Sequence, residues 1–482
     1  MQANDNVQGD NEVIGATKDA TRRLARFVAE QNQQTLPKRL YPLAKLYTLD
    51  TLGAAIFGST TPWAKAVAVY VNRFEGKSGS CSVIGQASTV SPAMAALANG
   101  TMGHSFETDD VHDESLLHPG TVVVPAALAV AEETNASGIA YLTAVILGYE
   151  LMVRIGLGVG SLAHMMSGFH STGTNGVFGS AAATAKLIPT EDRENTVLHA
   201  LGIAGSLASG IMEFSQTGGM IKRLHAGRAA EGGVMAGYLA ADGFTGPTTV
   251  LEGQYGYCAT FSDKPEPTRL LERLGADYGI EQITVKPYSC CSDLHAIIDS
   301  VYAIRRQTPF ELGSVRKIRV ATYEKVIEQN ALDPTGSVMA AQYSALFAAG
   351  AAVVSDMSDP VTYLNAPRAS PELKALFDKV TLDLDEQLNA DYPRTLGAEV
   401  SIELSDGRIL SARTVGAKGS PLKPMSPSEI EAKFRRMVAP VYDGSTIEAI
   451  IAAVDRLDRA QSVASLGTLL RTAPLSAAGA SG

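Results

Sequence analysis

The sequence predicts a mainly α-helical protein with a second, α+β domain. Two observations carry this expectation. Up to about residue 279, and again after Pro424, apolar and small residues recur at helical spacing between turn and cap signals. Between about 280 and 422 five stretches instead alternate apolar with polar residues and are rich in β-branched side chains: GIEQITVKPY, SVRKIRVATY, KVTLDLD, AEVSIELSD and RILSARTV. The boundaries expected are 16–279 and 423–473 for the helical parts and 280–422 for the α+β domain.

In chain order, residues 1–15 are polar and acidic and read as disordered. A helix from about Thr17 places Leu24, Phe27 and Val28 on one side, and LYPLAKLYTLDTLGAAIFGS forms a second that Gly58 closes. Thr61-Pro62 opens a third, CSVIG is a short extended piece, and residues 91–107 make an Ala-rich helix. Two further apolar helices run over 119–132 and 138–158. Gly173, Gly176 and Gly179 recur every three residues in STGTNGVFGSAAATAKLI, so one helix face admits a close neighbour. Thr190 reads as the N-cap of a helix running to about Ser209, and a further helix spans 220–241. Helices at about 291–306 and 337–350 interrupt the strands, and Ser405–Arg408 joins two strands as a hairpin. Ser426 with Glu429, and Ser445 with Glu448, read as capping boxes. The C-terminal helices are expected to pack on the N-terminal ones, and PLSAAGASG is a flexible tail.

Composition removes several classes of function. The net charge of −10, the single Trp and the lack of a Lys/Arg run argue against nucleic-acid binding. The four cysteines form no CxxC pair, so neither a disulfide framework nor a structural zinc site is expected. No apolar run follows a basic start, which argues against a secretory signal. The uncharged stretch 155–185 is long enough for a membrane span, but Gly, Ser, Thr, Asn and two histidines run through it. A cytoplasmic protein with reduced thiols and no membrane partner is expected.

Chemistry concentrates in residues 104–119. HSFETDDVHDESLLHP holds five carboxylates (Glu107, Asp109, Asp110, Asp113, Glu114) and three histidines (His104, His112, His118) between two small, apolar stretches. Unpaired charges in such a setting cost several kcal/mol each. The segment is therefore expected to line a cleft as a general acid/base site, with a metal site or a solvated acidic loop as the alternatives. His170 precedes the glycine-spaced helix, where free N–H groups suit an anion. Lys222, Arg223 and His225 share the GGMIKRLHAGR stretch, with Lys222 and His225 on one helix face. Lys286 ends the first expected strand, and Cys290 and Cys291 read as buried or pocket-lining thiols.

Four stretches, NGTMGHSFETDDVHDESLLHPG, GFHSTGTNGVFGSAAATAKL, GGMIKRLHAGRAAEGG and VKPYSCCSDLH, in this order, resemble the MmgE/PrpD family over nearly the whole chain. That family includes 2-methylcitrate dehydratase, cis-aconitate decarboxylase and iminodisuccinate epimerase. The resemblance implies a large all-helical domain built from both chain ends, a smaller α+β lid, a homodimer, and no metal or organic cofactor. It implies a lyase on a small di- or tricarboxylate, with epimerisation as the alternative; a non-catalytic carboxylate-binding dimer is a further reading. Carried over by motif are Glu107, Val111, His118, His170, Lys222 and Lys286. Glu107 stands where the decarboxylase motif has Asp, and Val111 where some members have Thr. In the implied chemistry His118 moves a proton at carbon, assisted by His170. Lys222, Arg223 and Lys286 supply cations to the carboxylates; Asp109, Asp110, Arg223, His225 and Cys291 are read as substrate-binding, and Asp109 and Asp110 also orient the histidines or cap helix ends.

Overall fold

The computed structural model describes residues 17–74, 79–217 and 219–475. The expected disorder of residues 1–15 and most of the expected tail lie outside these residues. The chain folds as two compact units. The first takes the described residues up to Ser105, Asp109–Ile283 and those from Ile430 on; the second takes Phe106–Thr108 and Thr284–Glu429. Helices dominate the first, and the second combines helices with a four-stranded sheet.

Among the described residues, nine long helices of the first unit precede its C-terminal part: α1 (Ala20–Glu30), α2 (Leu40–Gly58), α3 (Pro62–Phe74), α4 (Pro92–Gly103), α5 (Gly120–Glu133), α6 (Gly138–Gly158), α7 (Ser171–Leu187), α8 (Arg193–Leu207) and α9 (Ile221–Ala241). Strands β1 (Cys81–Ser82) and β2 (Thr89–Val90) pair antiparallel. Leu24, Phe27 and Val28 of α1 are buried together. Helix α6 is long and apolar enough to cross a bilayer, and 89% of its most apolar window is buried inside the protein. Small residues set the spacing of the central helices. A Cβ at Gly179 of α7 would lie 2.8 Å from Gly148 O of α6, and one at Gly227 of α9 would lie 2.3 Å from Leu97 O of α4. Side chains at these points would hold the helices apart.

Two N-termini differ from expectation. Asp192, not Thr190, caps α8 by accepting from Asn195 N at 3.1 Å. A C-terminal helix of this unit, Gly444–Asp455, is capped by Asp443, which accepts from Thr446 N at 2.8 Å. Glu448, expected in a capping box with Ser445, instead holds Arg435 at 2.7 Å. In both cases a carboxylate, a stronger acceptor than a hydroxyl, takes the helix N–H. The Ser426–Glu429 box forms in full, with both reciprocal bonds made.

In the second unit the sheet order is β4 (Val380–Leu384), β3 (Val315–Thr322), β5 (Gly397–Leu404), β6 (Ile409–Val415). The β3/β4 pair is parallel and the β3/β5 and β5/β6 pairs are antiparallel. Alternation in β5 sends Ala398, Val400, Ile402 and Leu404 inward. Helix His295–Gln307 lies on this face, where Ser300 donates to Ala398 O. Two expectations fail here. Residues 279–282 form a 3-10 turn, and Lys286 ends no strand. The expected helix at 337–350 is two, Val338–Gln342 and Ala345–Ala352, because Ser344 breaks the run and caps the second by accepting from Phe347 N.

Candidate active site

The polar segment after α4 is largely buried. His104, Asp109, Asp110 and His112 are each at most 4% exposed, and Glu107 is 2% exposed. Such burial requires partners, and each has them within its own unit. In the first unit Asp109 Oδ2 accepts from His104 Nδ1 at 2.7 Å and lies 3.3 Å from His118 Nδ1. His118 Nδ1 stands 2.7 Å from the carbonyl oxygen of Asp110. With Nδ1 committed to oxygen acceptors, the proton-transfer chemistry of the His118 ring falls to Nε2. The Asp110 carboxylate accepts from Gly120 N at 2.9 Å, at the start of α5, and from Tyr149 of α6 at 2.7 Å. Burial pushes the Asp110 carboxyl up to about 7, against the lowering effect of the Tyr149 hydroxyl.

His170, just before α7, and His225, in the second turn of α9, join this group from other elements. The His104 ring lies 4.9 Å from that of His118 and 5.7 Å from that of His170, and His170 lies 5.1 Å from His225. Phe214 meets His170 and His225 edge-on. Burial first, then His104, Lys222, His225 and His118, hold His170 well below the ordinary imidazole value. Burial first, then His104 and Lys222, bring His225 down to about 4. Lys222, at the start of α9, is 6% exposed, and its charge is among the causes that lower both His170 and His225.

Not every predicted residue joins this group. Arg223 lies over the Trp63 ring, 5.1 Å from its centroid. His112 holds a local turn, with Nδ1 accepting from Ser115 N and facing Ser115 Oγ at 2.8 Å. Glu114 is exposed and pairs with Arg269. Val111 is buried. In the second unit Lys286 and Glu107 form a buried contact of 3.7 Å, and Lys286 Nζ also donates to Glu107 O. Glu107 takes a left-handed backbone, φ 55°, which an L side chain adopts at some cost. Gln342 donates to the carbonyls of Phe106 and Ser289 and so clamps that segment. Cys291 donates to Asp293, and burial first, then Asp293, pushes its thiol up, against activation as a nucleophile.

Sequence reasoning gave His104 no role and passed over Tyr149. The first had a signal in its place within the dense segment; the second, in an apolar helix 39 residues from Asp110, had none. Among the described residues His104, Asp109 and His118 could offer ligand atoms to one metal ion, within 4.8 Å of one another. Their contacts are those of N–H donors on oxygen: both Nδ1 atoms face oxygens at 2.7 Å, so binding a metal through them would break these bonds.

Residues 22–270 match the MmgE/PrpD N-terminal domain and residues 288–459 the MmgE/PrpD C-terminal domain. The chain belongs to the MmgE/PrpD family. The cis-aconitate decarboxylase-like protein oryM of Aspergillus oryzae is 28% identical, over 94% of this chain and 97% of its own. A cis-aconitate decarboxylase of Aspergillus terreus is 28% identical over 94% and 96% of the two chains, and that of Homo sapiens 28% over 90% and 91%.

Proposed function

We propose that this protein is a lyase acting on a small di- or tricarboxylate, with decarboxylation of cis-aconitate as its first candidate reaction. The observation that carries this reading is a group of four histidines, His104 and His118 on Asp109 and His170 with His225 against them, whose His170 and His225 feel the charge of Lys222, in a chain whose relatives named for that reaction match it nearly end to end. In such a step the carbon–carbon bond to the departing carboxylate breaks and carbon dioxide leaves. The electron pair stays on carbon, delocalised towards a remaining carboxylate, and a histidine in its imidazolium form, with Nδ1–H already donated to oxygen, delivers the proton from Nε2 and becomes neutral. The added negative charge is the costly part, and a preorganised cation in a water-poor setting lowers that cost. Lys222 supplies the cation and His118, through Nε2, the proton transfer. We assign Lys286 and Glu107 a part in turnover on the motif match, to be tested by Lys286→Ala.

Dehydration of a 2-methylcitrate-like substrate is the second reading, kept because Glu107 stands where the resembled decarboxylase motif has Asp and Val111 where some family members have Thr. The chain is also proposed to act as a cytoplasmic homodimer without a cofactor. The test is a panel of citrate, 2-methylcitrate, cis-aconitate and iminodisuccinate followed by NMR. Carbon dioxide from cis-aconitate supports decarboxylation, and loss of water from a hydroxy acid supports dehydration. Exchange of a carbon-bound proton with solvent and no lost group would replace both with epimerisation. Near-normal turnover by His118→Ala would remove His118 from the proton-transfer role.

A further inference from the structure

His170 and His225 meet through the same atom of each ring. The two Nδ1 atoms lie 3.0 Å apart, and both side chains are buried. A hydrogen bond between two ring nitrogens holds one proton, so one ring donates and the other accepts. The groups that face the pair, His104, His118 and Lys222, act with burial to keep both rings neutral at neutral pH. A neutral imidazole carries a single N–H. The ring that donates at Nδ1 therefore has a bare Nε2, and the ring that accepts there carries its proton on Nε2.

The backbone holds this arrangement. His170 N donates to Gly210 O at 3.0 Å, and Gly210, at φ 132°, packs so closely that a Cβ on it would lie 3.3 Å from His225 Nδ1. From α7, a Cβ on Gly173 would lie 3.2 Å from His225 Cβ. The positive φ of Gly210, and the 2.6 Å that would separate a Cβ on Gly173 from Ser209 O, keep glycine at both positions next to His225.

We propose that His225 is a positioning residue for His170: through the Nδ1–Nδ1 contact it forces the two rings into opposite tautomers, so that the pair presents one basic Nε2 and one acidic Nε2–H. This inference rests on the lyase reading above. Its chemistry balances within the pair. The bare Nε2 takes up a proton, the shared proton crosses between the Nδ1 atoms, and the partner ring releases its Nε2 proton. No net charge accumulates on either ring, which suits their burial.

The test is long-range proton–nitrogen NMR on protein carrying 15N-histidine, with signals assigned through single His→Gln variants. The expected result is one Nδ1–H and one Nε2–H ring at neutral pH, and a changed His170 tautomer in His225→Ala. His225→Asn, whose amide reaches the Nδ1 position, should keep the fold and hold the His170 ring. Turnover should fall in His225→Ala by at least about tenfold, within the range of general acid–base effects, and His225→Asn should recover part of that loss. The same tautomer on both wild-type rings, or a His170 tautomer indifferent to His225, would overturn the proposal. So would unchanged turnover in His225→Ala. The tautomer measurements use no substrate, so they decide the pairing even if no carboxylate in the panel reacts, a result that overturns the lyase reading alone.

Discussion

Asp109 and His104, five residues apart, share a contact of 2.7 Å between side chains that are both fully buried. A carboxylate here fixes Nδ1 of His104 as the donor, and the same oxygen faces His118. Asp109→Asn keeps the shape but offers an amide N–H or a weaker acceptor to two rings. Turnover is expected to fall by about 10²–10⁴-fold, as when an orienting carboxylate is lost from a catalytic histidine, with an unchanged circular dichroism spectrum. Full activity in this variant would show that the carboxylate orients nothing that matters to the reaction.

The first unit also contains a buried ion pair far from the histidines in sequence. Lys433, on the helix Pro427–Val438, meets Asp50 of α2 at 2.6 Å, with side-chain exposures of 7% and 0%. Removing one partner strands a buried charge. Lys433→Met should therefore cost about 3–5 kcal/mol, read as a lower urea midpoint. Adding Asp50→Leu should restore a substantial part, because the uncompensated charge is then gone.

Gly227 of α9 tests the close helix packing. A Cβ there would meet Leu97 O at 2.3 Å and Thr101 Oγ1 at 2.3 Å, so backbone must move. Gly227→Ala should destabilise by about 1–3 kcal/mol, although alanine is the better helix former. A stabilised variant in thermal unfolding would mean that α4 and α9 separate at little cost.

Stability should fall as pH drops from about 6.5 towards 4. His112 and His225 are depressed to about 4, each by burial first, and His170 is held well below its ordinary value. The unfolded chain binds protons on these rings below about 6.5, whereas folded His112 and His225 do so only nearer 4 and folded His170 only well below its ordinary value, so acid favours unfolding. Asp110 opposes this: its folded value, raised to about 7, contributes stability that is lost as pH rises from 3.8 through 7. Three of these four groups act in one direction, so their net slope with pH is positive. Denaturant titrations at pH 7, 6 and 5 measure it, and His112→Asn should flatten it.

Much of the fold is legible in local sequence. The 3.6-residue spacing gives α1, long apolar runs between stop signals give α2 and α6, the alternation gives β3 to β6, and Ser426 with Glu429 gives a helix start. Local reading failed where two local signals competed. Asp192 and Asp443 outbid nearby hydroxyls as caps, Ser344 split a helix, and β-branched residues at 283–285 suggested a strand where a 3-10 turn precedes them.

The sequence by itself determined the class of each segment and the crowding of carboxylates and imidazoles into residues 104–119. It could not determine which atoms pair. Tertiary structure alone brought His225 to His170 across 55 residues, Tyr149 to Asp110 across 39, and Lys433 to Asp50 from opposite ends of the chain. The physical reason is range. Helix and strand patterns reflect neighbours within about four residues, whereas the partner of a buried polar atom is whichever group the packed helices leave within hydrogen-bonding reach of it.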